Sequence, residues 1–401
     1  MGSEEKANIR GRFLRLATAS AFASLLSYAV VLLITPACNN EIAASYNASL
    51  GQLGELSLAT MLGFFVTVIP AGRFADLRGK LPAMTAGCAS MAVGAILFAQ
   101  TGDFRLAILG SALFGIGGGL SEANSMALLA DLFTDSRRTS IMNLAQAMFG
   151  IGAVVSPIGI GVLLRSGLGW RTGYVGACVI CAFAAALNLS AALMHGEKHT
   201  ANPAERVRAR QIVRDPLVIC LGFGIFLYVG AEIGQSTWLS VYFKRFLGAS
   251  DAFAASSPSL MWVGIGLGRV TAAWASRRAA DATLVCWATA LAAAGQGALL
   301  IGGGPLLGTG AAFALGFFLG PIFPTVISRA SGIHPQASGV VTAVVVAAGS
   351  LGAAAFPPII GWAADSIGLR TALWICFAVL CADLVVFAWV RARVQSREPG
   401  L

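Results

Sequence analysis

Residues 217–243 read LVICLGFGIFLYVGAEIGQSTWLSVYF, a run of 27 residues that carries a single charged side chain, Glu232. A helix needs about 20 mostly apolar residues to cross the hydrocarbon core of a bilayer. The run is therefore long enough to form a transmembrane helix. Segments of the same kind recur along the whole chain.

The composition also indicates a protein surrounded by lipid. The chain has 401 residues, of which 57% are hydrophobic and 11% charged, and its mean hydropathy is +0.78. A soluble globular domain has about 25% charged residues. Because so few charges cannot cover the surface of a soluble fold of this size, lipid must cover much of it. The predicted fold class is an all-α membrane protein.

Twelve apolar runs meet the length requirement for a membrane span, six on each side of a polar stretch near the middle of the chain. We expect spans at 15–37, 50–71, 82–101, 106–130, 140–164, 172–194, 217–243, 256–276, 281–301, 305–328, 337–362 and 370–390. The prediction is therefore about 12 transmembrane helices in two six-helix bundles.

Lysine and arginine lie mainly in alternate connections between these spans. If the amino terminus is cytoplasmic, 20 of the 27 basic residues lie on the cytoplasmic side and six on the other side. Cytoplasmic segments are enriched in these residues, so we expect both termini in the cytoplasm and the protein in a bacterial inner (plasma) membrane. The net charge of +9 is spread over these clusters and forms no continuous basic face that would bind nucleic acid.

The two halves of the chain resemble one another at an offset close to 200 residues. In the first half, the shared pattern comprises Gly115, Gly119, Gly152, Pro157, Gly161 and Gly169-Trp170-Arg171-Thr172. Its counterpart comprises Gly316, Gly320, Gly352, Pro357, Gly361 and Gly368-Leu369-Arg370-Thr371. We predict an amino-terminal bundle at 1–194, a cytoplasmic linker at 195–216 and a carboxy-terminal bundle at 217–401. Such repeats are a known plan of secondary transporters.

The connection after the second predicted span reads Gly72-Arg73-Phe74-Ala75-Asp76-Leu77-Arg78-Gly79-Lys80. It resembles the glycine–aspartate–glycine–basic signature of the major facilitator superfamily, and helix count, repeat and loop charge extend the resemblance over the whole chain. In that family the loop is a conformational latch, which implies this role for Gly72, Arg73, Asp76, Arg78, Gly79 and Lys80. Asp76 would face a helix amino terminus, which stabilises a carboxylate, and the basic residues would form cytoplasmic ion pairs.

Two further resemblances point to different subfamilies. Tyr228-Val229-Gly230-Ala231-Glu232, Gly266-Leu267-Gly268-Arg269 and Gly320-Pro321-Ile322-Phe323-Pro324 resemble segments of the fucose/galactose/glucose–proton symporter group. Gly152, Ser156-Pro157 and Gly161 resemble the fifth-helix pattern of proton antiporters, although Ser156 and Ile160 stand where glycines are usual. The first resemblance implies import of a sugar with protons, and the second implies export.

A few polar side chains fall inside predicted spans, where a charge costs about 2.5–3.5 kcal/mol. We therefore expect them to face the protein interior and to bind substrate or exchange a proton. The candidates are Glu122, Asn124, Asn143, Gln146, Tyr228, Glu232, Gln235, Trp238, Trp262 and Arg269. Aromatic rings beside amide, hydroxyl and carboxylate groups suit a sugar. One hypothesis is that Glu122 or Glu232 exchanges the proton and that Arg269 influences its ionisation.

The favoured function is secondary active transport of a small polar solute, with proton-coupled sugar symport first. The alternatives are a proton-antiport exporter of drugs or metabolites and an organic-anion carrier that uses Arg269. We expect no enzyme, because the sequence has no nucleotide-binding glycine loop, HExxH motif or nucleophile elbow. We expect no cofactor and no metal, a proton gradient as the energy source, and a monomer whose partners are its solute and the bilayer.

Overall fold

The computed structural model describes residues 3–194, 215–275, 281–333 and 338–397. Within these ranges every element of secondary structure is a helix, which confirms the predicted all-α class. The first half contains α1 (Ser3–Ala37), α2 (Asn39–Tyr46), α3 (Leu50–Arg78), α4 (Lys80–Gln100), α5 (Phe104–Leu132), α6 (Asp135–Arg165) and α7 (Trp170–Met194). The second half contains α8 (Pro216–Arg245), α9 (Asp251–Ala275), α10 (Asp281–Ile301), α11 (Pro305–Leu319), α12 (Ile322–Ile333), α13 (Ser338–Ile367), α14 (Leu369–Ala372) and α15 (Trp374–Arg397).

Within the described residues, 11 helical segments are long and apolar enough to cross a membrane. They correspond to all the predicted spans except the eighth. The eighth is α9, which has 25 residues but carries serines in its first half and Arg269 in its second. Those polar residues lower its hydropathy, so α9 is the span with the most polar character and a natural place for functional side chains.

The tenth predicted span is interrupted. The expected run 305–328 forms α11 and α12, separated by a turn at Gly320 and Pro321. Proline has no N–H to donate into a helix and its ring clashes with the preceding turn, which accounts for a break at this point. Breaks in membrane helices are tolerated where neighbouring protein groups satisfy the freed backbone.

The helices pack into two compact units. The first comprises Met1–Cys38 and Ala59–Pro203, and the second comprises Asn39–Leu58 and Ala204–Leu401. The predicted linker 195–216 lies outside the described residues except for its last two positions, so the boundaries drawn from the sequence stay a prediction. The sequence did not predict that Asn39–Leu58, which belongs to the first half of the chain, would pack within the second unit.

Glycines of the sequence repeat lie at equivalent helix crossings in the two units. In the first unit, a Cβ on Gly115 of α5 would lie 1.8 Å from the carbonyl oxygen of Thr60 in α3. In the second unit, a Cβ on Gly316 of α11 would lie 2.0 Å from the carbonyl oxygen of Met261 in α9. Both positions need glycine because the backbones touch, as small residues allow in membrane helices.

A second pair of glycines repeats the relation. A Cβ on Gly152 of α6 would lie 2.7 Å from the carbonyl oxygen of Leu26 in α1, and one on Gly352 of α13 would lie 2.1 Å from that of Phe226 in α8. Helices α1, α3, α5 and α6 therefore correspond to α8, α9, α11 and α13. The internal repeat read from the sequence is a repeat of helix contacts.

Candidate functional site

Three polar side chains come together inside the second unit, between α8 and α9. Tyr228 is fully buried, Glu232 is 5% exposed, and Arg269 is partly buried on the neighbouring helix. Tyr228 interacts electrostatically with both the carboxylate and the guanidinium. We call these three residues the acid–arginine cluster. The sequence placed them on two different spans, and the structure brings them together.

Each side chain of the acid–arginine cluster has a polar atom without a hydrogen-bond partner within the described ranges. Tyr228 Oη, Glu232 Oε1 and Arg269 Nε are buried and have no hydrogen-bond partner among the described residues. Glu232 and Arg269 also form no ion pair in the part of the chain that the structure describes. Buried polar groups are normally paired, and each exception calls for an explanation. The three side chains interact with one another, but each keeps a buried polar atom that could bind a proton or a polar ligand.

The next turn of α8 is engaged with its neighbours. Gln296 of α10 donates from Nε2 to Gln235 Oε1 at 2.8 Å and to the Leu373 carbonyl at 3.2 Å. Gln235 Nε2 and Gln296 Oε1 remain without partners among the described residues. Gln296 is therefore a polar partner of the site that sequence reasoning left outside the main set, although it is an amide in the middle of an apolar run.

The two candidate tryptophans make different contacts. Trp262 is 6% exposed and donates from Nε1 to Ser236 Oγ at 3.0 Å, so its indole lies beside the polar face of α8. Trp238 is fully buried and donates from Nε1 to the Pro357 carbonyl at 3.1 Å. This bond joins α8 to α13, whereas the bond of Trp262 joins α9 to α8 one turn after Glu232.

The first unit contains a related arrangement around Glu122. Tyr28 of α1 is 4% exposed, interacts electrostatically with Glu122, and stacks on Phe64 with ring centroids 5.6 Å apart. A Cβ on Gly118 would lie 2.1 Å from the Tyr28 ring, so glycine there makes room for the phenol. Sequence reasoning missed Tyr28. The repeat could have found it, because Tyr28 and Tyr228 differ by the same 200 residues.

The other first-unit candidates are Asn124, Asn143 and Gln146. Asn124 is buried and donates to the Leu120 carbonyl of its own helix at 2.8 Å. Gln146 makes a long contact of 3.9 Å from Nε2 to the sulfur of Met126, and Asn143 is exposed. Asn124 lies two residues from Glu122, and residues two apart point to different faces of a helix.

The segment identified as a latch is mostly helical. Helix α3 continues to Arg78, and Gly79 alone separates it from α4, with a positive φ of 96° that favours glycine. Lys80 forms an ion pair with Asp131 at the end of α5. The surroundings of Gly72, Arg73 and Asp76 lie outside what the structure describes. The latch role of this segment stays a prediction.

Comparisons with known proteins agree on the fold. The family model described as Major Facilitator Superfamily matches residues 20–357. Two solved structures of a bacterial homologue of the human lysosomal transporter Spinster, both inward-facing, one unoccupied and one occupied, are each 14% identical with a TM-score of 0.77. The alignments cover 95% and 96% of this chain and 97% of each structure. No curated protein shows a significant sequence match.

Proposed function

Because the chain belongs to the Major Facilitator Superfamily, we propose that this integral membrane protein is a proton-coupled secondary transporter of a small polar solute, with a sugar as the first solute class. Secondary active transport is the general activity of the family. The finer assignment rests on one observation: each side chain of the acid–arginine cluster has a buried polar atom without a hydrogen-bond partner among the described residues.

The cluster suits proton exchange because of what surrounds the carboxyl. A carboxylate is costly in the interior of a membrane protein, and a nearby guanidinium offsets that cost. Because Glu232 and Arg269 act on one another without a fixed ion pair, a small helix movement changes the balance between them. Glu232 is therefore the proposed proton-exchanging acid, and Arg269 the cation that favours its ionised form.

A sugar suits the groups around the cluster. Trp262 offers an aromatic ring, and Gln235, Gln296 and Tyr228 offer amide and hydroxyl groups with unused hydrogen-bonding capacity. Rings contact the C–H face of a sugar while polar groups bind its hydroxyls. The fucose/galactose/glucose–proton symporter group stays the proposed subfamily on its sequence resemblance alone.

An organic-anion carrier is the second candidate, and Arg269 favours it. Its Nε is buried without a hydrogen-bond partner among the described residues, and a guanidinium binds carboxylates through two parallel hydrogen bonds. A solute carboxylate could therefore occupy the position opposite Arg269 when Glu232 is protonated. A panel of solutes that includes sugars and small carboxylates distinguishes the two classes.

The test is uptake of labelled sugars and carboxylates into proteoliposomes with and without an inward proton gradient. We expect one sugar to accumulate only with the gradient, and Glu232→Gln to abolish accumulation. Asp383→Asn is the comparison variant, since Asp383 is a fully buried acid of α15 in the same unit, and both its carboxylate oxygens also have no hydrogen-bond partner among the described residues. Full gradient-driven uptake by Glu232→Gln would reject Glu232, and loss in Asp383→Asn alone would move the proton site to α15.

A further inference from the structure

The segment Asn39–Leu58 is held in the second unit by two side-chain amides. Asn39 Nδ2 donates to the Thr237 carbonyl at 2.7 Å, and Asn40 Nδ2 donates to the Ser240 carbonyl at 3.1 Å. Both asparagines are buried. These bonds fix α2 against the last turns of α8. We call Asn39–Leu58 the docked segment.

Asp365, at the end of α13, holds the other part of the docked segment. Its carboxylate accepts hydrogen bonds from the backbone N–H of Leu50 and of Gly51, each at 2.9 Å, and from Ser49 Oγ at 2.8 Å. The N–H groups of Leu50 and Gly51 are the first of α3. Such groups have no partner within their own helix, and a negative charge beside them is favourable. The contact is therefore a helix cap supplied from a distant part of the chain.

Glu41 lies between these two points of attachment, on α2 and outside the candidate membrane spans. Its Oε2 is buried and has no hydrogen-bond partner among the described residues. The charged groups that act on it are Lys244 at the end of α8 and Asp251 at the start of α9. Lys244 and Asp251 pair with each other at 2.7 Å. The cation nearest Glu41 is thus already shared with another carboxylate.

Docking changes the acidity of this carboxyl. Burial raises the pKa of Glu41 to about 7, while a hydrogen bond from its own backbone N–H and the charge of Lys244 act to lower it and Asp251 acts to raise it. The same side chain in water has its ordinary value of 4.5. The buried Oε2 is the geometric reason, because that oxygen loses hydration when the carboxylate ionises and has no hydrogen-bond partner among the described residues.

We propose that Glu41 is a proton-binding site that controls the docked segment: the segment is held against the second unit when Glu41 is protonated and is released when Glu41 ionises. The ligand is a proton taken from the side of the membrane opposite the termini. This site is separate from the acid–arginine cluster, and its operation does not depend on which solute is carried.

The sign of the pH effect follows from the two pKa values. Above about pH 7 the carboxyl is ionised in both states, so docking bears the full cost of burying a charge. As the pH falls through 7 the docked carboxyl takes up a proton and docking strengthens, until both states are protonated below 4.5. One pKa unit corresponds to a tenfold change. Since Glu41 is only partly buried, we expect docking to strengthen about tenfold, rather than by the full difference, between pH 8 and pH 5.

The experiment measures exposure of α2 in the purified full-length protein. Ala43 is 9% exposed and its neighbour Ala44 is exposed. Ala43→Cys and Ala44→Cys are made separately in a variant whose reactive native cysteines have been replaced. The measured quantity is the ratio of their maleimide labelling rates, Ala43→Cys over Ala44→Cys. The ratio cancels the effect of pH on thiol reactivity. We expect it to fall about tenfold from pH 8 to pH 5.

Two variants separate proton binding from the rest of the contact. Glu41→Gln is permanently neutral, so we expect a low ratio that does not change with pH. Asp365→Asn removes the charge that caps α3 but keeps Glu41, so we expect a higher ratio at each pH with the fall retained. Hydrogen exchange of residues 39–46, corrected for the intrinsic effect of pH, makes the same comparison with all native cysteines in place.

A ratio that does not change with pH in the parent protein would overturn the proposal, and so would the same fall in Glu41→Gln. Neither measurement uses a solute or a gradient. If the sugar–proton assignment failed while the labelling behaved as expected, the proton site at Glu41 would stand. If the labelling failed while transport remained coupled to Glu232, only Glu41 would be rejected.

Discussion

At the scale of single residues, the informative side chains are polar groups that the interior of the protein leaves unpaired. Glu232, Tyr228 and Arg269 meet from two helices, but Glu232 Oε1, Tyr228 Oη and Arg269 Nε have no hydrogen bond within the described part of the chain. A stability role alone would favour a closed ion pair or apolar side chains of similar volume. Polar atoms without a partner in this cluster support the proposal that a proton or a solute binds there.

The two tryptophans of α8 and α9 give the first prediction. Trp238→Phe removes the hydrogen bond from the indole N–H to the Pro357 carbonyl, which joins α8 to α13, and such a bond contributes about 0.5–1.5 kcal/mol of stability. Trp262→Phe removes the bond to Ser236 beside the acid–arginine cluster. We expect Trp238→Phe to lower the thermal unfolding temperature with little change in KM.

For Trp262→Phe we expect the reverse, a KM for the solute raised about tenfold, the effect of losing about 1.4 kcal/mol of binding. Thermal unfolding of the purified protein and concentration-dependent uptake measure the two effects on the same samples. A raised KM in Trp238→Phe with unchanged stability would contradict the roles assigned to the two rings.

The residue-level prediction from sequence placed Glu232 and Tyr228 inside the protein, where the structure buries them, but it did not identify their neighbours. Glu232 and Arg269 stand out because charges are rare in apolar runs, but Tyr28 does not, since a tyrosine in a membrane helix is unremarkable by composition. Its place in the repeat, 200 residues before Tyr228, is the one sequence signal, and the structure adds its stacking on Phe64 and its electrostatic interaction with Glu122. Contacts between distant segments depend on helix packing, which residue types alone do not specify.

At the scale of helices, close backbone contacts determine which elements pair. Gly316 and Gly266 provide a matched test on α11 and α9. A Cβ on Gly316 would lie 2.0 Å from the Met261 carbonyl oxygen, whereas one on Gly266 would have no neighbour within 4 Å. We expect Gly316→Ala to destabilise the protein by about 1–3 kcal/mol through overpacking.

Gly266→Ala should leave stability unchanged or raise it by up to about 1 kcal/mol, because alanine favours the helix. Chemical or thermal unfolding in detergent measures both variants against the parent protein. Equal stability of the two variants would show that α9 and α11 are not in backbone contact, and the helix correspondence between the units would lose one of its two supports.

The boundaries of helices were less predictable than their existence. The expected span 281–301 has the bounds Asp281–Ile301, but the expected span 50–71 continues as α3 to Arg78. Hydropathy identifies the part of a helix that is apolar enough to lie in lipid. A helix can continue beyond that part, so hydropathy does not predict the polar end of the helix. Helix α2 was missed for the same reason, because Asn39–Tyr46 is short and polar.

At the scale of the whole molecule, two features of the sequence were enough to predict the fold. The length of the twelve apolar runs matches the thickness of a bilayer, and the 200-residue repeat matches two halves with the same arrangement of helices. Packing of Asn39–Leu58 within the second unit was not predictable from that symmetry. It depends on side chains outside the repeat pattern, namely Asn39, Asn40 and Asp365.

The central claim is that solute movement is coupled to a proton exchanged at Glu232. The most direct measurement is the internal pH of proteoliposomes, followed with an entrapped fluorescent dye after external addition of the transported solute and no imposed gradient. We predict acidification of the interior by the parent protein, and none by Glu232→Gln, which should still exchange labelled for unlabelled solute. Solute entry without acidification in the parent protein, or acidification by Glu232→Gln equal to that of the parent, would contradict the account.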